Sequence, residues 1–207
     1  MHIATKTGVL LIGAIGLAGC EAPGAPFAFG TTYDNFTDIE TAFAASTAAL
    51  VDEDGDVVDT DDISQGDDFD VLAGGTAIYD GAIVASEVDD GGTLIGQLQI
   101  EVAFATDTME GRAGNLIHSV DGALTGTLLG NTTLVRNVNV GLEEDHFEMS
   151  LIGALSGTGG EAYAATIDLQ GNFLNGGSDI ESVAGDADID FGPSGPEFEE
   201  GAFAATR

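Results

Sequence analysis

The stretch Thr-Leu-Ile-Gly-Gln-Leu-Gln-Ile-Glu-Val-Ala-Phe, residues 93–104, decides the fold class of this chain. Its even-numbered positions form a nearly continuous apolar series: Leu94, Gly96, Leu98, Ile100, Val102 and Phe104. The residues between them are mostly polar or small. Because successive side chains of a strand point to opposite faces, this period of two predicts a β-strand with one face packed against a core.

Similar short segments flank this stretch, and clusters of Gly, Asn and Asp separate them. The cluster Asp89-Asp90-Gly91-Gly92 is typical of a hairpin turn, and Gly130-Asn131 is interpreted as another. The candidate strands are residues 76–88, 93–104, 112–118, 120–129, 132–140, 146–155, 162–173, 180–191 and 198–207. Sequential hairpins dispose of their edges most simply by closing. We therefore predict an all-β fold, an antiparallel up-and-down β-barrel of about eight strands over residues 74–207, with a β-sandwich as the alternative.

Several of these segments contain glycines, for example Gly81 and Gly171. A Gly in a strand allows sharp coiling and lets an aromatic ring of the neighbouring strand lie across it. We expect five aromatic residues to belong to the core for this reason: Tyr79, Phe104, Phe173, Phe191 and Phe203.

The start of the chain has the features of a bacterial lipoprotein signal. Lys6 precedes an apolar run from Gly8 to Ala18, which is too short to span a bilayer as a helix of roughly 20 residues. The run ends in Leu-Ala-Gly-Cys at residues 17–20, which resembles a lipobox. We expect residues 1–19 to be a signal peptide and Cys20, the single cysteine, to be lipidated and to attach the protein to the membrane. Glu21 after the cysteine points, by the same resemblance, to the outer membrane.

Residues 20–73 are expected to form a tether followed by an acidic N-terminal segment. Residues 33–51 fit either a short helix or a strand, since Phe36, Ile39 and Phe43 recur at helical spacing. Residues 51–70 are so rich in Asp that little of them should be buried, and we interpret them as mostly loop or linker.

Alternating carboxylates in this acidic segment form a candidate calcium site. Asp52, Asp54, Asp56 and Asp59 lie around Gly55, and calcium takes six to eight oxygen ligands. The spacing departs from an EF-hand loop, because the Gly comes too early and Ile63 occupies the twelfth position. A solvated acidic loop without any cofactor is therefore our expectation, and calcium is the alternative.

The charge balance excludes one class of partner. The chain has four basic residues against 36 acidic ones, and its formal net charge is −32. Binding to a phosphate backbone requires clustered Lys and Arg, so we predict no nucleic-acid partner.

Two histidines, His118 and His146, lie outside the signal and are candidates for chemistry. His118, Ser119 and Asp121 have the residue types of a catalytic triad, but adjacent strand residues point to opposite faces, so His118 and Ser119 should not share a site. His146 and Glu148 would lie on one strand face, but no third metal ligand is identifiable. We interpret His146 as a surface residue near a turn, and we predict no catalytic residues.

Several short motifs appear in an order found in a known family. They are Gly74–Gly81, Val102-Ala103-Phe104, Ala123–Gly126, Gly171-Asn172-Phe173 with Gly177, Val183-Ala184-Gly185, Gly192-Pro193 and Glu200–Arg207. Together they resemble the opening, middle and closing strands of the barrel domain of transferrin-binding-protein-B-like lipoproteins, over about residues 74–207. The resemblance implies an eight-stranded barrel on an outer-membrane lipoprotein, often presented at the cell surface. That family binds transferrin through a large handle domain, whereas this chain has only residues 33–73 in its place, so the resemblance is confined to the barrel and the anchor.

These observations predict a lipid-anchored barrel that acts as a non-catalytic binding module for a protein or small-molecule ligand. Loops on the rim of the barrel would form its binding surface, and an exposed apolar or aromatic patch is expected at one end. An envelope structural lipoprotein without a specific ligand is the alternative.

Overall fold

A computed structural model describes residues 29, 33, 35–51, 57, 59, 62–70, 75–88, 91–142, 144–175, 180–193, 195–199 and 201–207, apart from the side chains of 45–49 and 175. The helices are α1 (Phe36–Leu50), α2 (Gly66–Asp70) and a 3-10 turn at Val140–Leu142. The strands are β1 (Thr76–Ser86), β2 (Thr93–Ala103), β3 (Thr108–His118), β4 (Gly122–Thr133), β5 (Phe147–Ser156), β6 (Ala162–Asn175), β7 (Ile180–Asp190) and β8 (Gly201–Thr206). No helix among the described residues has the length and apolar character needed to cross a membrane.

The eight strands form a closed barrel in sequence order, which confirms the predicted fold class. Every strand is antiparallel to the next, and β8 closes the barrel by pairing with β1, where Phe203 lies opposite Ile83. Closure gives each of the eight described strands a paired neighbour on both sides, and unpaired edges are what make open sheets prone to association.

The barrel interior is filled by the residues whose alternation predicted the strands. In β2 the side chains of Leu94, Leu98, Ile100 and Val102 are buried in the main core, and Phe104 follows them in the turn. All five aromatic residues expected in the core belong to it. The side chains fill the interior, so the barrel is a packed core and not a pore.

An aromatic ring lies across a glycine in this core, as the sequence predicted. Phe203 on β8 lies opposite Gly185 on β7, which in turn lies opposite Gly171 on β6. A Cβ atom at Gly171 would come within 2.5 Å of Cζ of Phe203 and 2.9 Å of the backbone oxygen of Ala184. Position 171 therefore requires glycine because the ring occupies the space of a side chain.

We expect Gly171→Ala to destabilise the protein by about 2 kcal/mol, because a buried ring and a strand must move to admit one methyl group. The measurement is the free energy of unfolding in urea. Gly141→Ala is the matched control, since Gly141 is exposed and a Cβ there would meet only Oδ1 of Asn139 at 3.5 Å. The control should change stability by less than about 0.5 kcal/mol. Equal effects at both positions would contradict the packing account.

Helix α1 resolves the ambiguity of residues 33–51 in favour of a helix. Asn35 caps it, because its Oδ1 accepts a hydrogen bond of 3.0 Å from the backbone N–H of Asp38. The helix lies on the outer wall of the barrel, where Ile39 packs against Ala82 of β1 and Ile95 of β2. The apolar side of the helix and an apolar patch of the wall thus cover each other.

Three described apolar residues of the acidic segment after α1 also pack on the barrel. Val51 and the half-buried Val57 and Ile63 contact an outward-facing apolar cluster on β6–β8 that includes Leu174 and Ala204. The expectation that little of residues 51–70 is buried is therefore wrong for Val51, which is 3% exposed. Sparse apolar residues between many carboxylates can pack in this way because each contacts a complementary patch on the barrel wall.

One turn prediction and one strand prediction in the middle of the chain are wrong. Gly130 and Asn131 are not a turn; they continue β4, where they lie opposite Gly111 and Glu110 of β3. Gly130 allows β5 to approach closely, since a Cβ there would be 2.3 Å from the backbone oxygen of Ser150. Residues 134–139, assigned to a strand by the sequence analysis, belong to the connection between β4 and β5.

Candidate functional site

The two ends of the barrel differ. Strands β1, β3, β5 and β7 begin at one end of the barrel, which we call the closed end. They finish at the other end, which we call the open end. At the closed end, residues 62–70 of the acidic segment lie against the core. Phe69 of α2 is fully buried there, with ring centroids 5.7 Å from Phe173 and 6.1 Å from Phe104. Because Phe69 closes this end of the core, we call residues 62–70 the plug.

Arg136 holds the plug from outside. Its Nε donates a hydrogen bond of 2.8 Å to Oδ1 of Asp107, and its Nη2 donates to the backbone oxygen of Phe104. Its Nη1 lies 3.5 Å from Oδ1 of Asp70, and the guanidinium carbon lies 5.9 Å from the centroid of the Phe69 ring. One cation thus links α2 to the β2–β3 turn.

His146 joins the same plug to the barrel, and it is completely buried. The interpretation of His146 as a surface residue is therefore wrong. Its Nε2 lies 3.0 Å from the backbone oxygen of Ser64, and its Nδ1 lies 3.2 Å from the backbone N–H of Phe173 and 2.9 Å from Oδ1 of Asn172. A neutral ring with its hydrogen on Nε2 donates to Ser64 and accepts from Phe173.

Burial lowers the pKa of His146 from 6.5 to about 4, although the oxygens of Asn172 and Ser64 act in the opposite direction. The folded protein consequently binds fewer protons than the unfolded chain between these two values. The contribution of the neutral His146 side chain to the free energy of unfolding is present in full above pH 6.5 and is lost as the pH falls through about 4. The pH dependence that neighbouring Asp145 adds to the stability has the opposite sign, because burial raises the pKa of its carboxyl group.

We expect the wild type to lose about 2 kcal/mol of stability at this histidine between neutral pH and about pH 5. The His146→Gln variant keeps a donor for Ser64 but cannot titrate, so its stability should fall less over the same range. Urea unfolding at both pH values gives the difference, and the contribution of Asp145 is present in both proteins and cancels. Parallel loss in the two proteins would show that His146 does not titrate as described.

The open end carries a cavity of about 260 Å³. Aromatic residues Tyr163, Phe191 and Phe198 line it together with polar residues His118, Asp121 and Glu161. The rings of Tyr163 and Phe191 are stacked, with centroids 5.4 Å apart, and Phe198 meets Phe191 edge to face at 5.2 Å. Phe191 and Phe198 are nevertheless buried, at 3% and 8% exposure, so this lining is not the exposed apolar or aromatic patch expected of a binding module, and that expectation stays a prediction.

His118 organises the polar side of this cavity. It is 4% exposed, and its Nδ1 accepts a hydrogen bond of 3.2 Å from the backbone N–H of Asp121. In a neutral ring this leaves the hydrogen on Nε2, which lies 3.3 Å from Oε2 of Glu87 without hydrogen-bond geometry. Oδ2 of Asp121 lies 3.4 Å from Nδ1. The ring thus lies between the carboxylates of two turns at the rim, those of Glu87 and Asp121.

Ser119 comes closer to His118 than strand alternation predicted. A Cβ at Gly92 would be 2.8 Å from both Nε2 of His118 and Oγ of Ser119, so the two side chains border one small space. The Ser119 hydroxyl accepts a hydrogen bond of 2.9 Å from the backbone N–H of Thr93. The two side chains lie near each other because Ser119 belongs to the turn after β3, but each accepts a hydrogen bond from a different backbone N–H.

The other sequence-predicted sites are placed as follows. Cys20, Asp52, Asp54 and Asp56 lie outside the described residues, and Asp59 is exposed. Within the described residues, no group of three or more His, Cys, Asp or Glu side chains could hold a metal ion. The calcium alternative stays a prediction.

A second, larger groove of about 370 Å³ lies on the outer wall of the barrel. Phe29, Tyr33 and Phe43 of the N-terminal segment form one side of it, and Leu98 and Arg207 of the barrel border the other. This groove is the seam between the segment and the wall. The open-end cavity, in contrast, is formed where several turns converge, which is the usual arrangement of binding residues on a rigid scaffold.

No protein-family model matches this chain, and no curated protein is significantly similar to it.

Proposed function

We propose that this protein is a lipid-anchored lipoprotein of the outer membrane, displayed at the cell surface, whose barrel binds a ligand at its open end without catalysis. The observation that carries the binding proposal is the aromatic cavity at the open end, in a protein whose other end is filled by Phe69. The signal and lipobox features of residues 1–20 and the resemblance to transferrin-binding-protein-B-like barrels support the anchoring proposal.

Binding is favoured over catalysis by the way in which the polar groups are engaged. The Nδ1 of His118 accepts a backbone N–H, and the hydroxyl of Ser119 accepts another. A histidine and a serine acting as base and nucleophile would instead have to be hydrogen-bonded to each other. Their present partners hold the rim turns in place, which preorganises the cavity for a ligand.

Metabolic labelling with an alkyne fatty acid tests the anchoring proposal. The full chain should incorporate the label and lose residues 1–19, and Cys20→Ala should abolish both. Protease treatment of intact cells then tests display, with a periplasmic protein as the control for lysis. We expect cleavage of the wild-type protein. An unlabelled mature protein would refute the anchor, and full protection would refute surface display.

Amide chemical-shift mapping against ring-sized fragments tests the binding proposal. Bound fragments should shift the amides of Gly157, Gly159 and Phe198 at the open end, and leave those of Ser64 and His146 at the closed end unchanged. Shifts confined to other surfaces, or none with any fragment, would refute the open end as a binding site.

A further inference from the structure

The chemistry of the open-end cavity is asymmetric in charge. Its aromatic walls are combined with the carboxylates of Asp121 and Glu161, both of which are exposed to the solvent that a ligand would displace. Aromatic faces attract cations through the ring quadrupole, and carboxylates attract them directly. Both kinds of lining therefore favour the same sign of ligand charge.

The basic residues of the described chain lie elsewhere. Arg112 is on the outer wall, within 3.6 Å of Glu110, and Arg136 holds the plug at the closed end. Arg207 borders the groove on the outer wall. Within the described part of the chain, the cavity carboxylates consequently have no Lys or Arg as counter-ion. The net charge of −32 adds a long-range field that concentrates cations at the surface.

A buried polar atom beside the cavity lacks a hydrogen bond. His118 lines the cavity and is 4% exposed, and its Nε2 makes no hydrogen bond within the described part of the chain, although Glu87 lies 3.3 Å away. Buried polar atoms in folded proteins are almost always satisfied by protein, water or ligand. The nearest acceptor to Nε2 is Oε2 of Glu87, which is not among the residues that line the cavity, and an N–H donor cannot be satisfied by a cation, so this atom does not bear on the sign of the ligand charge.

We infer that the open-end cavity binds a small organic cation, an amine carried on an apolar body about the size of one ring. This inference rests on the proposed function, since it assigns a ligand class to the same cavity. The amine lies toward Asp121 and Glu161, and the apolar body lies against Phe191 and Phe198. A cavity of about 260 Å³ suits this size, because about 150 Å³ accommodates benzene.

Three probes of nearly equal size test the charge assignment: benzylamine, benzyl alcohol and benzoate. Each is titrated against the full chain carrying Cys20→Ser, with amide shifts and calorimetry as readouts. Benzylamine should bind with a Kd on the order of 1 mM. Benzyl alcohol should bind at least about fivefold more weakly, and benzoate should show no saturable binding.

Variants locate the charge effect. Glu161→Gln and Asp121→Asn should each weaken benzylamine binding by about three- to tenfold and leave benzyl alcohol binding unchanged. Glu148→Gln is the matched control, because it removes the same charge from an exposed position at the closed end. It should leave both affinities unchanged.

The outcomes separate this inference from the proposed function. Equal binding of benzylamine and benzyl alcohol at the open end, or preferred binding of benzoate, would overturn the cation assignment and leave a ligand-binding cavity. Equal weakening by Glu161→Gln and Glu148→Gln would show a general effect of net charge and would also overturn it. Failure of all three probes to bind would overturn the inference and the binding proposal together.

Discussion

Replacing Phe173 with alanine should destabilise the protein by about 4 kcal/mol, the largest effect of any single substitution that we predict. Phe173 is fully buried and is the centre of an aromatic cluster at the closed end. Its ring centroid lies within 6.3 Å of those of five other rings, which belong to Phe69, Tyr79, Phe104, His146 and Phe147. Alanine would leave a cavity bordered by every one of them.

Urea unfolding measures this loss, and Phe36→Ala provides the control. Phe36 is half-buried on the outer wall of the barrel, so truncation there removes less packing and leaves no enclosed cavity. We expect about 1 kcal/mol at that position. A loss below about 1.5 kcal/mol for Phe173→Ala would contradict the described core.

Phe69→Ala should have the second-largest effect, about 3 kcal/mol, and a different signature. Phe69 belongs to the acidic segment, so its truncation loosens the plug while the strands of the barrel keep their pairing. The backbone N–H of Ser64, which donates a hydrogen bond of 2.8 Å to the oxygen of Phe173, reports this loosening. Its hydrogen exchange should accelerate at least about tenfold more than that of amides in β5 and β6.

A double-mutant cycle links the two residues. Because Phe69 and Phe173 are in contact, the combined variant should lose less stability than the sum of the single variants. Additive losses, or unchanged exchange at Ser64 in Phe69→Ala, would show that residues 62–70 do not form a plug.

The barrel could be predicted because the alternation of apolar and polar residues in its strands follows which side chains are buried. Residues 93–104 alternate apart from Ile95, which packs under α1 on the outer wall, and the even-numbered apolar side chains fill the interior as expected. The error at residues 130–140 has a physical cause. A Gly-Asn pair is typical of a turn. Gly130 instead lies within β4, where the absence of a side chain allows β5 to approach closely, so packing between strands determines the conformation at this position.

The plug could not be predicted, because nothing near Phe69 in the sequence marks it as buried. Asp67, Asp68 and Asp70 surround it, and such composition normally indicates solvated chain. Only one face of this short helix contacts the barrel, so its carboxylates remain at the surface. The burial of His146 was missed for a related reason, since its partner Ser64 lies in the same acidic segment.

The residues that line the open-end cavity could not be predicted from the sequence. An exposed apolar or aromatic patch was expected at one barrel end, and Phe191 was assigned to the core, but Tyr163 and Phe198 were not singled out. These residues are far apart in sequence, and closure of the barrel brings their turns together. The available signal was the position of both aromatics beside turns instead of in the middle of alternating strands.

The central claim is that the barrel has one accessible end and one sealed end, and thiol labelling tests it most directly. The chain has a single cysteine, so Cys20→Ser leaves no thiol to interfere. Tyr163→Cys then places a thiol in the open-end cavity, and Val102→Cys places one in the core at the closed end. A small neutral methanethiosulfonate should react on the order of 100-fold faster at the open-end position, because reaction at the other requires the plug to open. Equal rates, or a faster reaction at Val102→Cys, would contradict the account.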